Sequence, residues 1–271
     1  MIIVAGGDSF VFGSELADRN NTFAATLSKG HDYRLVAWPG YANDSIARTV
    51  MAECEQHPSC AVIVSWTFPG RYEFRFNYDT KQLKSPWHAI NSWTIQSTDD
   101  VVQQLRNPDP GVIDGFRRHK NTAESTGIAA FSRTYYEHVG SSEYWEVYST
   151  LKEIVYLQNY LQVKQIPYLF TCADTGIFYN YTIDHADQFI LSLKQQIDMT
   201  HWYLFPAGTG ADQTQHARGF YQWAIENKYP VGTTHPLDAA HQAASELMKE
   251  KFNEMVTKSL SQNQIGDTLS A

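Results

Sequence analysis

The chain has no run of about 18 apolar residues, the length a helix needs to cross a bilayer, so no membrane partner is expected. Cysteine is scarce. Cys54, Cys60 and Cys172 are an odd count of three without metal-ligand spacing. Cys54 and Cys60 could pair, but reduced thiols are the expectation for a cytosolic chain. Basic residues are in deficit: 21 Lys and Arg stand against 29 Asp and Glu, a formal net charge of -8. A nucleic-acid phosphate surface is therefore not an expected partner. The first residues, Met1-Ile2-Ile3-Val4-Ala5, carry neither a basic stretch nor an apolar signal core. That favours a cytoplasmic location. The histidines outside the motifs below are scattered, so no metal and no cofactor is expected. Nothing in the sequence signals an oligomeric state.

Aromatic residues are what the chain has in plenty: 16 Tyr, 14 Phe and 7 Trp, or 14% of 271 residues. They serve either core packing or a stacking surface for ring-shaped ligands such as sugars. The length is enough for one α/β domain with a sizeable core. Residues 1–260 are expected to form it, with 261–271 as a polar, frayed tail.

Apolar runs alternate with helical spacing. Strands are expected at residues 1–5, 33–37, 61–65, 167–172 and 202–205. Helices are expected between them, with Asn43 or Asp44 capping the second. Further helices are expected around Tyr148 to Leu161, from Ala186 to Ile197 and from Pro236 to about Leu260. The pattern implies a three-layer, flavodoxin-like α/β fold, with a five-stranded parallel sheet and helices on both faces. Residues 70–143 break the alternation and are rich in aromatics, among them Tyr78, Trp87, Trp93 and Phe131. They read as a partly helical insertion after strand three, either a lid over the ligand edge or a passive decoration.

The pivot is Gly6-Gly7-Asp8-Ser9-Phe10, where the first strand ends and a helix begins. In such a sheet this is the edge where ligands bind, and unpaired N–H groups face that edge. Ser9 is there either a capping residue or a nucleophile. Near the other end, His235 precedes Pro236, whose missing N–H suits the first helical position. A histidine in that loop can serve as general base for a serine.

These blocks resemble the SGNH hydrolases of the GDSL type, in particular the forms common in bacteriophage genomes. Gly7-Asp8-Ser9-Phe10 is similar to the first block, with Phe10 in place of leucine. Pro39 to Ile46 resembles the second block, and His235 to His241 the last. The resemblance implies a serine esterase working through an acyl-enzyme on a small-molecule or glycan ester, such as an O-acetyl sugar. Ser9 would be nucleophile and His235 base. The N–H groups of Ser9 and Gly40 and the amide of Asn43 would form the oxyanion hole. Asp8 and Thr67 would lie on the substrate side, Thr67 as an alternative hole donor. Arg71 leaves strand three at the ligand edge, where it either holds an anionic substrate group or pairs with Glu73 or another acid. Location on a virion would also suit a phage-like member.

Two positions depart from the family. The asparagine block after strand three reads Ser65-Trp66-Thr67-Phe68. The acid three residues before the base is Gly232, which leaves a dyad or a reserve acid such as Asp174. A second register, Asp238-Ala239-Ala240-His241, would make His241 the base. Helix-start geometry favours His235, with Asp238 complementing the helix dipole. The departures also motivate an alternative: a catalytically silent module that binds a glycan or another phage protein.

Overall fold

The computed structural model describes residues 1–77, 85–179, 187–207 and 216–269, with 258–269 by their backbone alone. Tyr78 and Ala186 lie outside the described residues. Strand β1 (Ile2–Gly6) leads into the short helix α1 (Ser9–Phe12) and then α2 (Phe23–Leu27). Strand β2 (Asp32–Leu35), helix α3 (Asn43–Gln56) and strand β3 (Cys60–Trp66) follow. The cap of α3 is Ala42 rather than Asn43 or Asp44. Its N–H donates to Ser45 Oγ at 3.3 Å, so the first turn closes without an Asn or Asp cap.

The inserted region begins with the antiparallel hairpin β4 (Tyr72–Arg75) and β5 (Trp87–Ile90). Helices α4 (Ser92–Ile95), α5 (Thr98–Gln104), α6 (Pro110–Ser125) and α7 (Ile128–Tyr135) complete it, with a π-turn at Tyr136–Gly140. It has a small core of its own, built on Tyr72, Ile90, Ala123, Ile128, Ala129 and Tyr136. The chain returns to the sheet through α8 (Glu143–Val163), β6 (Tyr168–Cys172), α9 (Gly176–Tyr179) and α10 (Gln188–Gln196). It ends with α11 (Phe220–Glu226) and α12 (Asp238–Leu269).

The main sheet is parallel and runs β2-β1-β3-β6. Among the described residues it has four strands, where five are expected from the sequence. The segment at 202–205 meets β6 only at the bridge Phe170↔Trp202, followed by Tyr203 N–H donating to Phe170 O at 2.8 Å. Phe205 then turns away to pair with Arg218, which ends the ladder. Two further boundaries differ. The helical pattern after the first strand is divided into α1 and α2 by left-handed Gly13. Helix α12 runs past Ser261 to Leu269.

Alternation along β3 sorts the core into two layers. Val62, Val64 and Trp66 pack with Ile46, Val50, Leu151 and Ile154 of α3 and α8. Ala61 and Ile63 face Phe23, Phe220, Ala240 and Ala244 of α2, α11 and α12. Both faces are covered, so the central strands read as unbroken apolar runs. Truncating one such side chain, Ile63 for example, would cost about 2–5 kcal/mol. This rigid double layer fixes the strand ends. The chain leaves β1 for β2 on one side and later returns to β3 on the other. The crevice between the C-terminal ends of β1 and β3 is therefore the switch point where ligands bind in such sheets.

Candidate active site

Ser9 stands at that switch point. Asp8 caps the turn that carries it, its Oδ1 accepting the Phe10 N–H at 3.1 Å. Ser9 is 7% exposed, and its hydroxyl has no hydrogen-bond partner among the described residues. Gly7 is required by packing. A Cβ there would lie 2.5 Å from Val11 Cγ2 and 3.2 Å from the Ser65 carbonyl. The small residue lets the turn sit against β3, which places Ser9 over the sheet.

The acid that partners His235 is Glu15, six residues beyond Ser9 and absent from the sequence-based expectations. His235 Nδ1 lies 2.7 Å from Glu15 Oε1 and 2.7 Å from Thr234 Oγ1. The same carboxylate accepts the Thr233 N–H at 2.5 Å, the Thr234 N–H at 3.1 Å and the Thr234 hydroxyl at 2.6 Å. Burial pushes the Glu15 carboxyl up, but the bonds from His235, Thr234 and Thr233 outweigh it and hold the group below its usual range. Glu15 occupies the left-handed region at φ 66, which costs a non-glycine residue energy. The carboxylate also explains Gly232: a Cβ at that position would collide with Glu15 Oε2. The acid reaches the imidazole from the serine side of the cleft and fills the space an acidic side chain at 232 would need.

Local bonds shape the histidine loop. Gly232 N–H donates to His235 O at 2.9 Å, and Leu237 N–H to Pro230 O at 2.9 Å. Pro236 bridges back to Val231, and α12 starts at Asp238, so Pro236 precedes the helix instead of opening it. The inserted region grips this loop from outside. Asn107 Nδ2 donates to Val231 O at 3.0 Å, and Thr233 Oγ1 donates to Asn107 O at 2.7 Å. The His235 ring packs edge-on against Phe10, with centroids 5.1 Å apart. His235 Nε2 has no partner among the described residues, and no hydrogen bond joins it to Ser9. An Nδ1–H directed at Glu15 or Thr234 leaves the Nε2 lone pair free to accept a proton.

On the other flank, Asp8 is fully buried. Its Oδ2 accepts the Thr67 hydroxyl at 2.5 Å and Arg71 Nη1 at 3.0 Å. The Asn43 amide faces inward, not into the crevice. Its Nδ2 donates to Thr67 O at 3.3 Å and Thr150 Oγ1 at 3.2 Å, and its Oδ1 accepts the Thr67 N–H at 2.9 Å. The arrangement joins β3 to α3 and commits both expected side-chain donors, Asn43 and Thr67. Gly40 takes φ 84, and its N–H carries no hydrogen bond among the described residues. Trp38, next to this turn, is 58% exposed and packs edge-on against Phe12.

The remaining candidates lie elsewhere. His241 is 1% exposed, stacked on Phe23 and close to Phe220. Its Nδ1 accepts the Phe23 N–H at 3.3 Å, and burial pushes its pKa down to about 3. It is placed as a neutral core histidine, out of reach of solvent. Asp238 sits in the first turn of α12 and accepts the Asn21 amide at 2.8 Å. Asp174 accepts bonds from Gly176 and Gln222 and has no bond to His235. Of the expected set, Asp8, next to Ser9, is bonded to Thr67 and Arg71, and His235 packs on Phe10, the residue after Ser9. Asp8 and Thr67 are fully buried and do not line a substrate surface, Asn43 faces Thr67 and Thr150, and His241 lies in the core.

No protein-family model matches the chain, and no curated protein matches it. Solved structures similar to it over nearly the whole length include two described as esterase or lipolytic proteins. One is the psychrotrophic esterase EstA from Pseudoalteromonas sp., inhibited by monoethylphosphonate. It is 12% identical, with 96% of this chain and 98% of that chain covered and a TM-score of 0.42. The other is a member of the lipolytic protein G-D-S-L family from Veillonella parvula. It is 12% identical, with 95% and 98% covered and a TM-score of 0.40. Among the described residues no helix is long and apolar enough to cross a membrane.

Proposed function

We propose that the chain is a serine ester hydrolase of the SGNH kind, with Ser9, His235 and Glu15 as its triad. The observation that carries this reading is the Glu15–His235 pair, with Nδ1 held at 2.7 Å and the imidazole packed on Phe10, the residue after Ser9; among the described residues neither Nε2 nor the Ser9 hydroxyl has a partner. Ser9 Oγ attacks the acyl carbonyl while His235 Nε2 takes its proton. The N–H groups of Ser9 and Gly40 receive the developing oxyanion. His235 then protonates the leaving alcohol, and water, activated by the same imidazole, releases the acid. The gap between Ser9 and His235 closes when substrate fills the crevice, as hydrogen bonds in empty active sites commonly do.

For the alcohol half, exposed Trp38 beside Gly40 supports a sugar ring, since an open indole offers a flat apolar face. The substrate class is then an acyl ester on carbohydrate. The competing reading is a silent binding module, which the inward-facing Asn43 amide favours. A fluorophosphonate probe separates the two, because only an activated serine is phosphonylated. The expected result is stoichiometric labelling, mapped by mass spectrometry to the peptide holding Ser9 and lost in Ser9→Ala. Wild-type protein that stays unlabelled and fails to hydrolyse p-nitrophenyl acetate would leave the binding module standing.

A further inference from the structure

A tetrahedral oxyanion needs donors that are not already spent. Asn43 gives its amide to Thr67 and Thr150, and Thr67 gives its hydroxyl to Asp8. Arg71 differs. Only its Nη1 is engaged, with Asp8 Oδ2 at 3.0 Å and Tyr41 O at 3.5 Å. Its Nη2 and Nε carry no hydrogen bond among the described residues. The guanidinium lies over the Phe68 ring, 5.2 Å from its centroid, and is one-fifth exposed. Asp8 fixes its position relative to the nucleophile. One carboxylate oxygen holds the N–H of Phe10, next to Ser9, and the other holds Arg71.

From this geometry we infer that Arg71 is a catalytic residue, the side-chain donor of the oxyanion hole. The inference rests on the serine-hydrolase reading and deepens it. As the bond from Ser9 Oγ to the acyl carbon forms, the carbonyl π pair moves onto oxygen. A free Arg71 N–H donates to that oxygen and transfers no proton. When the intermediate collapses, the pair returns and the C–O bond to the alcohol breaks, with His235 supplying the alcohol's proton. The pairing with Asp8 serves this role. The ion pair offsets the cation's attraction for the carboxylate product, while Nη2 and Nε keep N–H groups uncommitted among the described residues.

The test uses a neutral ester, p-nitrophenyl acetate, which has no anionic group for Arg71 to recognise. In Arg71→Met, kcat should fall about 100- to 1000-fold, the usual loss for one such donor, with KM little changed. Arg71→Lys, with one compact ammonium, should recover only part of it. The double variant Asp8→Asn/Arg71→Met removes the buried charge left behind, and its kcat should stay low while thermal unfolding returns toward wild type. Three results overturn the inference: an unchanged kcat in Arg71→Met, a loss confined to KM, or wild-type kcat in the double variant. Fluorophosphonate labelling of the wild type runs alongside. Labelled Ser9 with an indifferent Arg71 removes this inference alone, whereas an unlabelled, inactive wild type removes the hydrolase reading and this inference with it.

Discussion

Replacing His235 with alanine is expected to lower kcat for p-nitrophenyl acetate by about 100- to 10,000-fold, while His241→Ala leaves the rate per folded molecule near wild type. The two histidines are six positions apart and do opposite things. His235 turns its Nδ1 to a carboxylate and leaves Nε2 open, the state a general base requires. His241 is packed between Phe23 and Phe220, with Nδ1 already accepting a backbone N–H. Its loss should appear in stability, by about 2–4 kcal/mol for emptying a core site. A pH signature separates the effects further. Folding lowers the His241 pKa from 6.5 to about 3. Below 6.5 the unfolded chain takes up a proton that the folded chain refuses. The contribution to stability is therefore present above 6.5 and lost as pH falls toward 3. Urea unfolding at pH 7 and pH 5 should show a steep acid loss in the wild type and a shallower one in His241→Ala. Full esterase activity in His235→Ala together with an inactive but folded His241→Ala would reverse the assignment.

How much of this was legible in the sequence depends on how local each signal is. The strands around Ile3, Ile63 and Leu169 announce themselves because burial on both faces leaves an unbroken apolar run. The segment around Trp202 carries the same signature but makes only a bridge, since the departure of Phe205 toward Arg218 is a tertiary event. The placement of Ser9 at a strand end and of His235 before a helix is readable. Glu15 is not. Its contact with His235 spans 220 positions, and its left-handed backbone has no compositional mark in a residue other than glycine. The hint lay in a negative: Gly232 stands where the resemblance implies an acid, and a missing side chain is room for another one. Asn43 shows the converse. Its residue type suits an oxyanion hole, but whether an amide faces ligand or neighbouring backbone is decided by Thr67 and Thr150, from two other elements.

Glu15→Gln should cost about 10³- to 10⁴-fold in kcat, because an amide can donate to Nδ1 and so select the tautomer that protonates Nε2. The ring proton then sits on Nε2, the atom that must accept one from Ser9. Stability should respond as well. Hydrogen bonds from His235, Thr234 and Thr233 hold the carboxyl below its ordinary 4.5. That contribution is complete above 4.5 and is lost as pH falls through the lower folded value. The acid limb of a melting-temperature profile should therefore flatten in the variant. A rescue distinguishes orientation of the base from simple loop anchoring. Gly232→Asp alone should destabilise the protein, since its Cβ meets the Glu15 carboxylate. In a Glu15→Ala background that space is empty, and the aspartate is expected to restore at least tenfold of the lost kcat by presenting a carboxylate to the same Nδ1. Recovery of stability without recovery of kcat would mean that Glu15 holds the loop and leaves the chemistry to Ser9 and His235 alone. Recovery of both would mean that the cleft accepts its acid from either wall, and that what matters to the imidazole is the carboxylate rather than the strand end that delivers it.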